Sequence, residues 1–227
     1  MAVADRMKAL LKMRPGPGLE IAEIPVPAPG SGDVIVRLEA CSICGTDVHI
    51  YSWDEWSRSR VAPPRVIGHE GAGYVVDVGA GVKGIKAGDY VSFDSHQTCG
   101  ACYMCRTGQA HVCRDYRILG VDVDGLFAEY ARVPGNSVWV NPKGMPPEHA
   151  SLQDPFGNAV MATLAGEVAG QSVLVTGCGA IGLFSVAIAK RSGASVVIGV
   201  DVNQYRLDLA RRMGADHVFN SRTQPWE

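Results

Sequence analysis

The sequence lacks several features that would assign it to broad classes of protein. No apolar run approaches the roughly 20 residues that a bilayer span requires. Acidic residues slightly outnumber basic ones, and the resulting net charge of -2 provides no positive field for nucleic acid or an anionic membrane surface. The first residues lack the apolar core and cleavage site of a secretory signal. We therefore expect a cytoplasmic protein with no nucleic-acid or membrane partner.

The chain is predicted to contain two domains of different texture. Composition is ordinary for a globular protein, because 47% of the residues are hydrophobic and 19% are charged. Residues 1–152 are expected to form a β-rich domain, in which short alternating runs are bounded by turn residues. Residues 153–227 predict a helix and then strict β-α-β-α-β alternation, which is typical of a parallel sheet. The overall class is therefore α/β.

The predicted elements follow from local patterns. In the first domain we expect few helices. Strands are expected within residues 7–13, 19–24, 34–38, 73–79, 89–93, 127–133 and 137–140. In the second domain we expect helices over 155–169, 180–191 and 203–213, and strands over 172–176, 195–200 and 217–220.

Four of the seven cysteines lie within residues 99–113, in the pattern C-x2-C-x2-C-x7-C. Zinc takes four thiolates tetrahedrally, and two-residue gaps let a tight turn present consecutive sulfurs to one ion. A full tetrad leaves no open coordination position, so the pattern predicts a structural zinc lobe. An iron–sulfur cluster, disulfides or an accidental cluster are the alternatives. The residues are Cys99, Cys102, Cys105 and Cys113.

A second metal site is suggested by Cys44 and by the adjacent pair His69 and Glu70, which lie in separate glycine-containing segments. One thiolate, one imidazole and one carboxylate would leave a fourth zinc position open for water or substrate. Spacing alone is weak support, because a lone cysteine more often packs as a small hydrophobe. An isolated histidine is likewise more often structural.

A glycine-rich turn joins a predicted strand to a predicted helix, with the spacing Gly177-x-Gly179-x-x-Gly182. In this context the pattern predicts a dinucleotide site, because the backbone can approach a pyrophosphate at the helix N-terminus. Asp201 ends the next strand, where an acid favours NAD over NADP by accepting hydrogen bonds from the ribose 2′-hydroxyl. The predicted cofactor-binding residues also include Ala180 and Ile181.

The segment GHEGAGYVVDVGAGVKGIKAGDYV, together with the cysteine lobe, resembles the zinc-containing medium-chain alcohol dehydrogenase family. The resemblance implies a GroES-like β-barrel catalytic domain followed by a Rossmann doubly wound parallel sheet, of which residues 153–227 supply the first half. It implies that Cys44, His69 and an acidic residue hold a catalytic zinc. The acid is either Glu70 or Asp154, although Asp154 also fits a helix N-cap ahead of a proline.

The same resemblance gives roles to several other polar residues. Thr46 and His49 match the family's proton relay, and Arg206 matches a position over the adenosine. The segments ICGTDVHIYSWDEW and DPFGNAV resemble the threonine-oxidising members, in which His96 matches a position that tunes substrate choice. An exposed loop histidine and a solvated helix charge are the alternatives for His49 and Arg206.

The function implied is oxidation of a secondary alcohol by NAD with two zinc ions per chain, and the expected substrate is L-threonine, giving 2-amino-3-oxobutanoate. Another polyol or secondary alcohol, such as sorbitol or butanediol, is the nearest alternative. A non-catalytic, zinc-stabilised nucleotide-binding module is the second. The family commonly forms tetramers, so a homo-oligomer is expected. Residues 1–227 alone are expected to show weak or no activity, because only three strands of the dinucleotide domain are predicted.

Overall fold

The computed structural model describes residues 5–224 and separates the chain into two compact units, Met1–Asp154 and Pro155–Glu227. The boundary lies two residues after the one expected from the sequence. Among the described residues, no helix is long and apolar enough to cross a membrane. Each unit has its own apolar core.

Within residues 5–154 of the first unit the structure describes ten strands, and most of them run antiparallel to their neighbours. Their bounds are β1 Arg6–Lys12, β2 Glu20–Pro25, β3 Asp33–Ser42, β4 Arg65–Val66, β5 Glu70–Val78, β6 Tyr90–Phe93, β7 His96–Gln97, β8 Arg117–Ile118, β9 Tyr130–Pro134 and β10 Val138–Val140. They form a five-stranded sheet in the order β10-β6-β5-β3-β9, a three-stranded sheet β2-β1-β4 and a small pair β7-β8. Alternating apolar residues of the large sheet make the main core, as half-buried strands require.

The pairing of β3 with β5 brings two distant parts of the sequence together. In this register Ser42, the last residue of β3, stands opposite Glu70, the first residue of β5. Because the strands are antiparallel, the residues just beyond Ser42 and just before Glu70 leave the sheet at the same end. Cys44 and His69 occupy these two exits.

Helices in the first unit are more frequent than the sequence indicated. They are α1 Gly45–Ser52, α2 Glu55–Arg60, α3 Tyr103–Arg106 and α4 Pro147–Ala150, and α5 Gln153–Thr163 begins at its end. The expectation of strands and turns was wrong for residues 45–60. With eight and six residues, α1 and α2 are both shorter than the window of about 11 residues over which an apolar period is recognised. Both begin with local hydrogen bonds. In α2, the Asp54 carboxylate accepts the Ser57 backbone N–H.

The second unit follows the predicted alternation of strands and helices. Its remaining elements are β11 Ser172–Thr176, α6 Ala180–Arg191, β12 Val196–Asp201, α7 Gln204–Met213 and β13 His217–Asn220. The strands pair in parallel in the order β11-β12-β13, with Val197 and Val186 among the fully buried core residues. The helix expected over 155–169 ends earlier, at Thr163, three residues before the poor helix former Gly166.

Gly68 sets the backbone path into His69. Its φ of +88° lies in the left-handed region, and an added Cβ would overlap the Phe127 ring. Phe127 packs against the cluster formed by Ile50, Trp53 and neighbouring apolar residues. Movement of the ring away from an added Cβ would therefore disturb this packing.

Replacing Gly68 with alanine should lower the free energy of unfolding by about 3 kcal/mol, because backbone strain and overpacking add. Gly84→Ala is the matched control, since Gly84 has a φ of +78° but nothing lies within 4 Å of an added Cβ. That variant should lose only about 1 kcal/mol. Urea denaturation compares the two, and equal losses would contradict the steric explanation.

Candidate functional site

Three zinc-compatible side chains converge where β3 and β5 end. The ligand atoms of Cys44, His69 and Glu70 all lie within 4.8 Å of one another. His69 and Glu70 are each 5% exposed, so the group is well shielded from water. Ser42 donates a hydrogen bond of 2.7 Å from its hydroxyl to Glu70 Oε2, which orients that carboxylate.

The buried carboxylate of Asp47 links the two segments that supply these ligands. Its Oδ2 accepts the Cys44 backbone N–H at 2.9 Å, and its Oδ1 accepts the Gly68 backbone N–H at 3.2 Å. The same Oδ1 lies 3.9 Å from His69 Nδ1. Burial raises the pKa of Asp47, while the two backbone N–H groups and His69 work in the opposite direction. Asp47 therefore belongs to the second layer around the three ligands.

The surroundings of His69 fit a bound cation. Its Nδ1 is buried and, among the described residues, has no hydrogen-bond partner. Burial acts to lower the pKa of His69, but Cys44, Asp47 and Asp154 outweigh it, and the pKa rises. An imidazole surrounded by acidic groups calls for compensating positive charge. One sulfur, one nitrogen and one carboxylate are a donor set that zinc accepts.

Asp154 belongs to a neighbouring group. Its carboxylate lies within 4.8 Å of ligand atoms of Asp94 and His96 rather than in the set around Cys44. Its Oδ1 accepts the Ser95 backbone N–H at 3.3 Å, and its charge acts on both His69 and His96. Asp154 lies in the first turn of α5. The hydrogen bond that the His96 ring donates to the Asp94 carboxylate is the main reason that the pKa of His96 is raised.

The two predicted relay residues both lie on α1, directly after Cys44. Thr46 Oγ1 is 3.8 Å from Cys44 Sγ. One helical turn further, the His49 ring nitrogen Nδ1 lies 2.5 Å from Asp54 Oδ2. His49 therefore has a carboxylate partner that the sequence did not suggest.

The four clustered cysteines form a compact group of sulfurs. The Sγ–Sγ distances are 3.5 Å for Cys102–Cys105 and Cys99–Cys113, 3.9 Å for Cys102–Cys113 and 4.0 Å for Cys99–Cys105. A tetrahedron with zinc–sulfur bonds of about 2.3 Å has edges of about 3.8 Å. All four cysteines are free of disulfides.

Backbone N–H groups prepare the lobe for an ion. The N–H groups of Arg114 and Cys105 act on the Cys102 thiol and lower its pKa to about 6. The Cys102 N–H donates to Cys99 Sγ, and the Cys99 N–H donates to Cys113 Sγ, both at 3.4 Å. These donors favour thiolates, the form that binds zinc.

The glycine-rich turn connects β11 to α6 as the dinucleotide pattern requires. Gly179 is the N-cap of α6, and the space over Gly177 and Gly179 is open, with nothing within 4 Å of an added Cβ. At Gly182, by contrast, a Cβ would overlap the Gly177 carbonyl oxygen. Ala180 and Ile181 start the helix. Open space above the free N–H groups of a helix start fits a phosphate group.

Asp201 ends β12 beside this turn. Its Oδ2 accepts the Cys178 backbone N–H at 2.7 Å, and its Oδ1 accepts the Asn203 backbone N–H at 2.8 Å. Each carboxylate oxygen has a second lone pair, so both can accept further hydrogen bonds. Arg206 lies on α7 with Nη1 3.9 Å from Asp201 Oδ2, and its side chain is 52% exposed.

Comparison with known proteins assigns the family. Residues 30–143 match the family described as alcohol dehydrogenase GroES-like domain, and residues 180–227 match the one described as zinc-binding dehydrogenase. The first match covers half of the chain. The chain belongs to the zinc-binding alcohol dehydrogenase family. Its GroES-like region contains Cys44, His69 and the four-cysteine lobe.

Curated relatives of this dehydrogenase family are identical to the chain at about half of the aligned positions. L-threonine 3-dehydrogenase of Pyrococcus horikoshii is 53% identical over 218 residues, which are 96% of this chain and 63% of that protein. The enzymes of the same name from Symbiobacterium thermophilum and Bacillus licheniformis are 51% and 53% identical and are covered to 63% and 62%. The chain thus spans less than two thirds of their length.

Solved structures of dehydrogenases share the fold. An alcohol dehydrogenase of Escherichia coli in complex with NADH has a TM-score of 0.89 at 37% identity, covering 98% of this chain and 64% of that one. Alcohol dehydrogenase TADH of Thermus sp. ATN1 has a TM-score of 0.88 at 30% identity, with 97% and 65% covered. A zinc-binding dehydrogenase of Sinorhizobium meliloti bound to NADP has a TM-score of 0.88 at 32% identity, with 97% and 64% covered.

Replacing Asp47 with asparagine should weaken zinc binding at Cys44 and His69 by about 10- to 100-fold, as loss of a second-layer partner usually does. An amide offers only one acceptor, so one of the two backbone N–H groups would lose its partner. Competition with a chromogenic chelator measures the affinity. Asp77→Asn is the control, because Asp77 is exposed and accepts only the adjacent Val78 N–H among the hydrogen bonds described. Equal zinc affinity in both variants would contradict a linking role for Asp47.

Proposed function

We propose that this chain carries the catalytic and part of the dinucleotide-binding machinery of an NAD-dependent zinc dehydrogenase that oxidises L-threonine at C3 to 2-amino-3-oxobutanoate. The observation that carries the proposal is the convergence of half-buried Cys44 with buried His69 and Glu70 into one donor set. The relatives named L-threonine 3-dehydrogenase support the choice of substrate. The proposed complement is two zinc ions per chain, in a homo-oligomer.

The first proposed ion site has an open position. Cys44, His69 and one acidic residue would be its ligands, and the fourth position would be left for the substrate. The acid would be Glu70, which lies in the same group, with Asp154 as the alternative. Zinc in this set supplies Lewis-acid activation, which lowers the pKa of a substrate hydroxyl. The four sulfurs of the cysteine lobe would complete the second ion's coordination, and its role would be structural.

The chain's own residues then handle the proton of the substrate hydroxyl. Thr46 is the proposed first acceptor, because its hydroxyl lies beside Cys44 and can both accept and donate. His49 is the proposed exit to solvent, since its side chain is 60% exposed and an imidazole nitrogen can accept a proton and pass it on. His96, held by Asp94, is proposed to bear on substrate choice.

The glycine-rich turn between β11 and α6 is the proposed binding site of the second reactant, NAD. NAD bound there provides the nicotinamide that accepts hydride. The N–H groups at the start of α6 would hold the pyrophosphate, with Gly177, Gly179 and Gly182 allowing its close approach. The Asp201 carboxylate would accept a hydrogen bond from the ribose 2′-hydroxyl, and Arg206 would lie over the adenosine. A 2′-phosphate would meet the Asp201 carboxylate and be repelled.

Other alcohols are the main alternative, because the same zinc and NAD machinery would serve sorbitol or butanediol. A specific difference is the acidic group formed by Asp94 and Asp154, with His96 between them. Carboxylates near a substrate site suit an ammonium group, which threonine has and the polyols lack. A non-catalytic module is the third possibility, and it would need only the structural ion.

The proposed function is tested on the full-length, zinc-loaded protein by its zinc content and by NADH formation. We expect two zinc ions per chain and a kcat/KM for L-threonine at least about tenfold above those for sorbitol and butanediol, which corresponds to ~1.4 kcal/mol. Cys44→Ser should retain one zinc and lose activity, because a hydroxyl is a poor replacement for a thiolate ligand.

Cys41→Ser is the matched control for that variant. The Cys41 thiol donates a hydrogen bond of 3.4 Å to the Leu126 carbonyl oxygen, and Cys41 belongs to neither group of proposed metal ligands. This variant should keep both ions and its activity. A content of one zinc ion in the unmodified protein would favour the non-catalytic module. A higher kcat/KM for a polyol than for L-threonine would show that threonine is not the preferred substrate.

Asp201→Asn should reduce the preference for NAD over NADP by at least about tenfold, or ~1.4 kcal/mol, because the charge that repels the 2′-phosphate is removed. The amide oxygen can still accept the Cys178 N–H. Steady-state kinetics with both cofactors measures the ratio, and Asp208→Asn on the exposed face of α7 controls for net charge. An unchanged ratio would exclude Asp201 from cofactor selection.

A further inference from the structure

The contact between His49 and Asp54 bears on which ring nitrogen of His49 carries the proton, a point that the proposed function does not address. Asp54 lies between α1 and α2 and caps α2. Its Oδ2 is 2.5 Å from His49 Nδ1, and no other acidic group among the described residues forms an ion pair with this ring. The Trp56 ring lies edge-on to His49, with a centroid separation of 6.1 Å.

Ser57 fixes which way the Asp54 carboxylate faces. The Ser57 backbone N–H donates to Oδ1 at 2.9 Å, and the Ser57 hydroxyl lies 2.6 Å from the same oxygen. Ser57 is fully buried, and its single hydroxyl hydrogen is shared between Asp54 Oδ1 and the His49 carbonyl oxygen, which lies 2.7 Å from the hydroxyl oxygen. One carboxylate oxygen is therefore committed to the start of α2, and the other is left to the imidazole.

The charge state of Asp54 decides where the imidazole carries its proton. The Ser57 hydroxyl, the Ser57 backbone N–H and His49 together lower the pKa of Asp54 to about 2. Asp54 is therefore ionised at neutral pH, and an ionised carboxylate can only accept hydrogen bonds. Nδ1 must consequently be the protonated nitrogen of the neutral ring, which leaves the lone pair on Nε2.

We propose that Asp54 is a positioning residue that holds neutral His49 in its Nδ1–H tautomer and so makes Nε2 the atom that accepts the outgoing proton. In this step the O–H bond of the donor breaks and an N–H bond forms at Nε2. The resulting imidazolium is stabilised by the Asp54 carboxylate, and it releases the Nε2 proton to water. No electrons change hands. The relay part of this inference rests on the proposed function.

Replacing Asp54 with asparagine should invert the tautomer. The Ser57 N–H requires an acceptor at the Oδ1 position, so the amide oxygen stays there and the amide nitrogen faces His49. That nitrogen is a donor, which forces the lone pair onto Nδ1 and the proton onto Nε2. Asparagine caps helices about as well as aspartate does, so the variant should keep the start of α2 and should still fold.

The tautomer is read from solid-state ¹⁵N spectra of protein labelled in histidine, recorded at about pH 9, where imidazole side chains are neutral. The His49 signals are assigned by their loss in His49→Gln. We expect a protonated Nδ1 in the unmodified protein and a protonated Nε2 in Asp54→Asn. Asp122→Asn is the control, because Asp122 pairs with Arg60 at 2.8 Å and makes no described contact with His49.

Kinetics of the full-length enzyme provide a second measurement. Asp54→Asn should lower kcat for alcohol oxidation about 10- to 100-fold with KM unchanged, because only proton transfer is affected. Asp122→Asn should leave kcat unchanged. The proposal would be overturned if His49 carried its proton on Nε2 in the unmodified protein, or on Nδ1 in Asp54→Asn. It would also be overturned if the tautomer changed in Asp54→Asn while kcat stayed the same. The spectra require no turnover, so a protein that forms no NADH would refute the proposed function separately.

Discussion

The structure of the candidate active site depends on the buried carboxylate of Asp47. The segments that supply Cys44 and His69 are 25 residues apart in sequence, and pairing of β3 with β5 brings them only to the same end of the sheet. Asp47 then takes one backbone N–H from each segment. A buried carboxylate without such donors would destabilise the folded protein, so folding strongly favours the arrangement in which both N–H groups contact Asp47.

This arrangement concentrates negative charge in a shielded place. Asp47, Glu70 and the Cys44 sulfur surround His69, and Asp154 adds a further carboxylate nearby. Like charges in a low-dielectric environment repel strongly. A divalent cation removes this conflict, and its binding is therefore expected to stabilise the fold as well as to enable chemistry. The cysteine lobe uses the same principle on four sulfurs.

The second unit was the easier part to predict, and the reason is local. Its strands and helices alternate, its glycine spacing is tied to one turn, and Asp201 follows directly from the end of a strand. These features each depend on residues close in sequence. The cysteine tetrad was visible for the same reason, because its four sulfurs come from fifteen consecutive positions.

The first unit shows where sequence reasoning stopped. The short helices α1 and α2 have no clear apolar period, so their residues were expected in strands and turns. Asp47 was missed although it stands three residues after Cys44, a spacing typical of a helix start. Asp54 was missed because its role depends on how α2 packs beside α1. The grouping of Asp154 with Asp94 and His96 is likewise a long-range result that no local pattern encodes.

The central claim is that Cys44, His69 and Glu70 share one metal ion. Anomalous difference maps collected at the zinc edge from crystals of the metal-loaded protein test it most directly. The account predicts two peaks per chain, one among the four lobe sulfurs and one within bonding distance of Cys44 Sγ, a His69 ring nitrogen and a Glu70 carboxylate oxygen. A single peak at the lobe, with no peak near Cys44, His69 and Glu70, would contradict it.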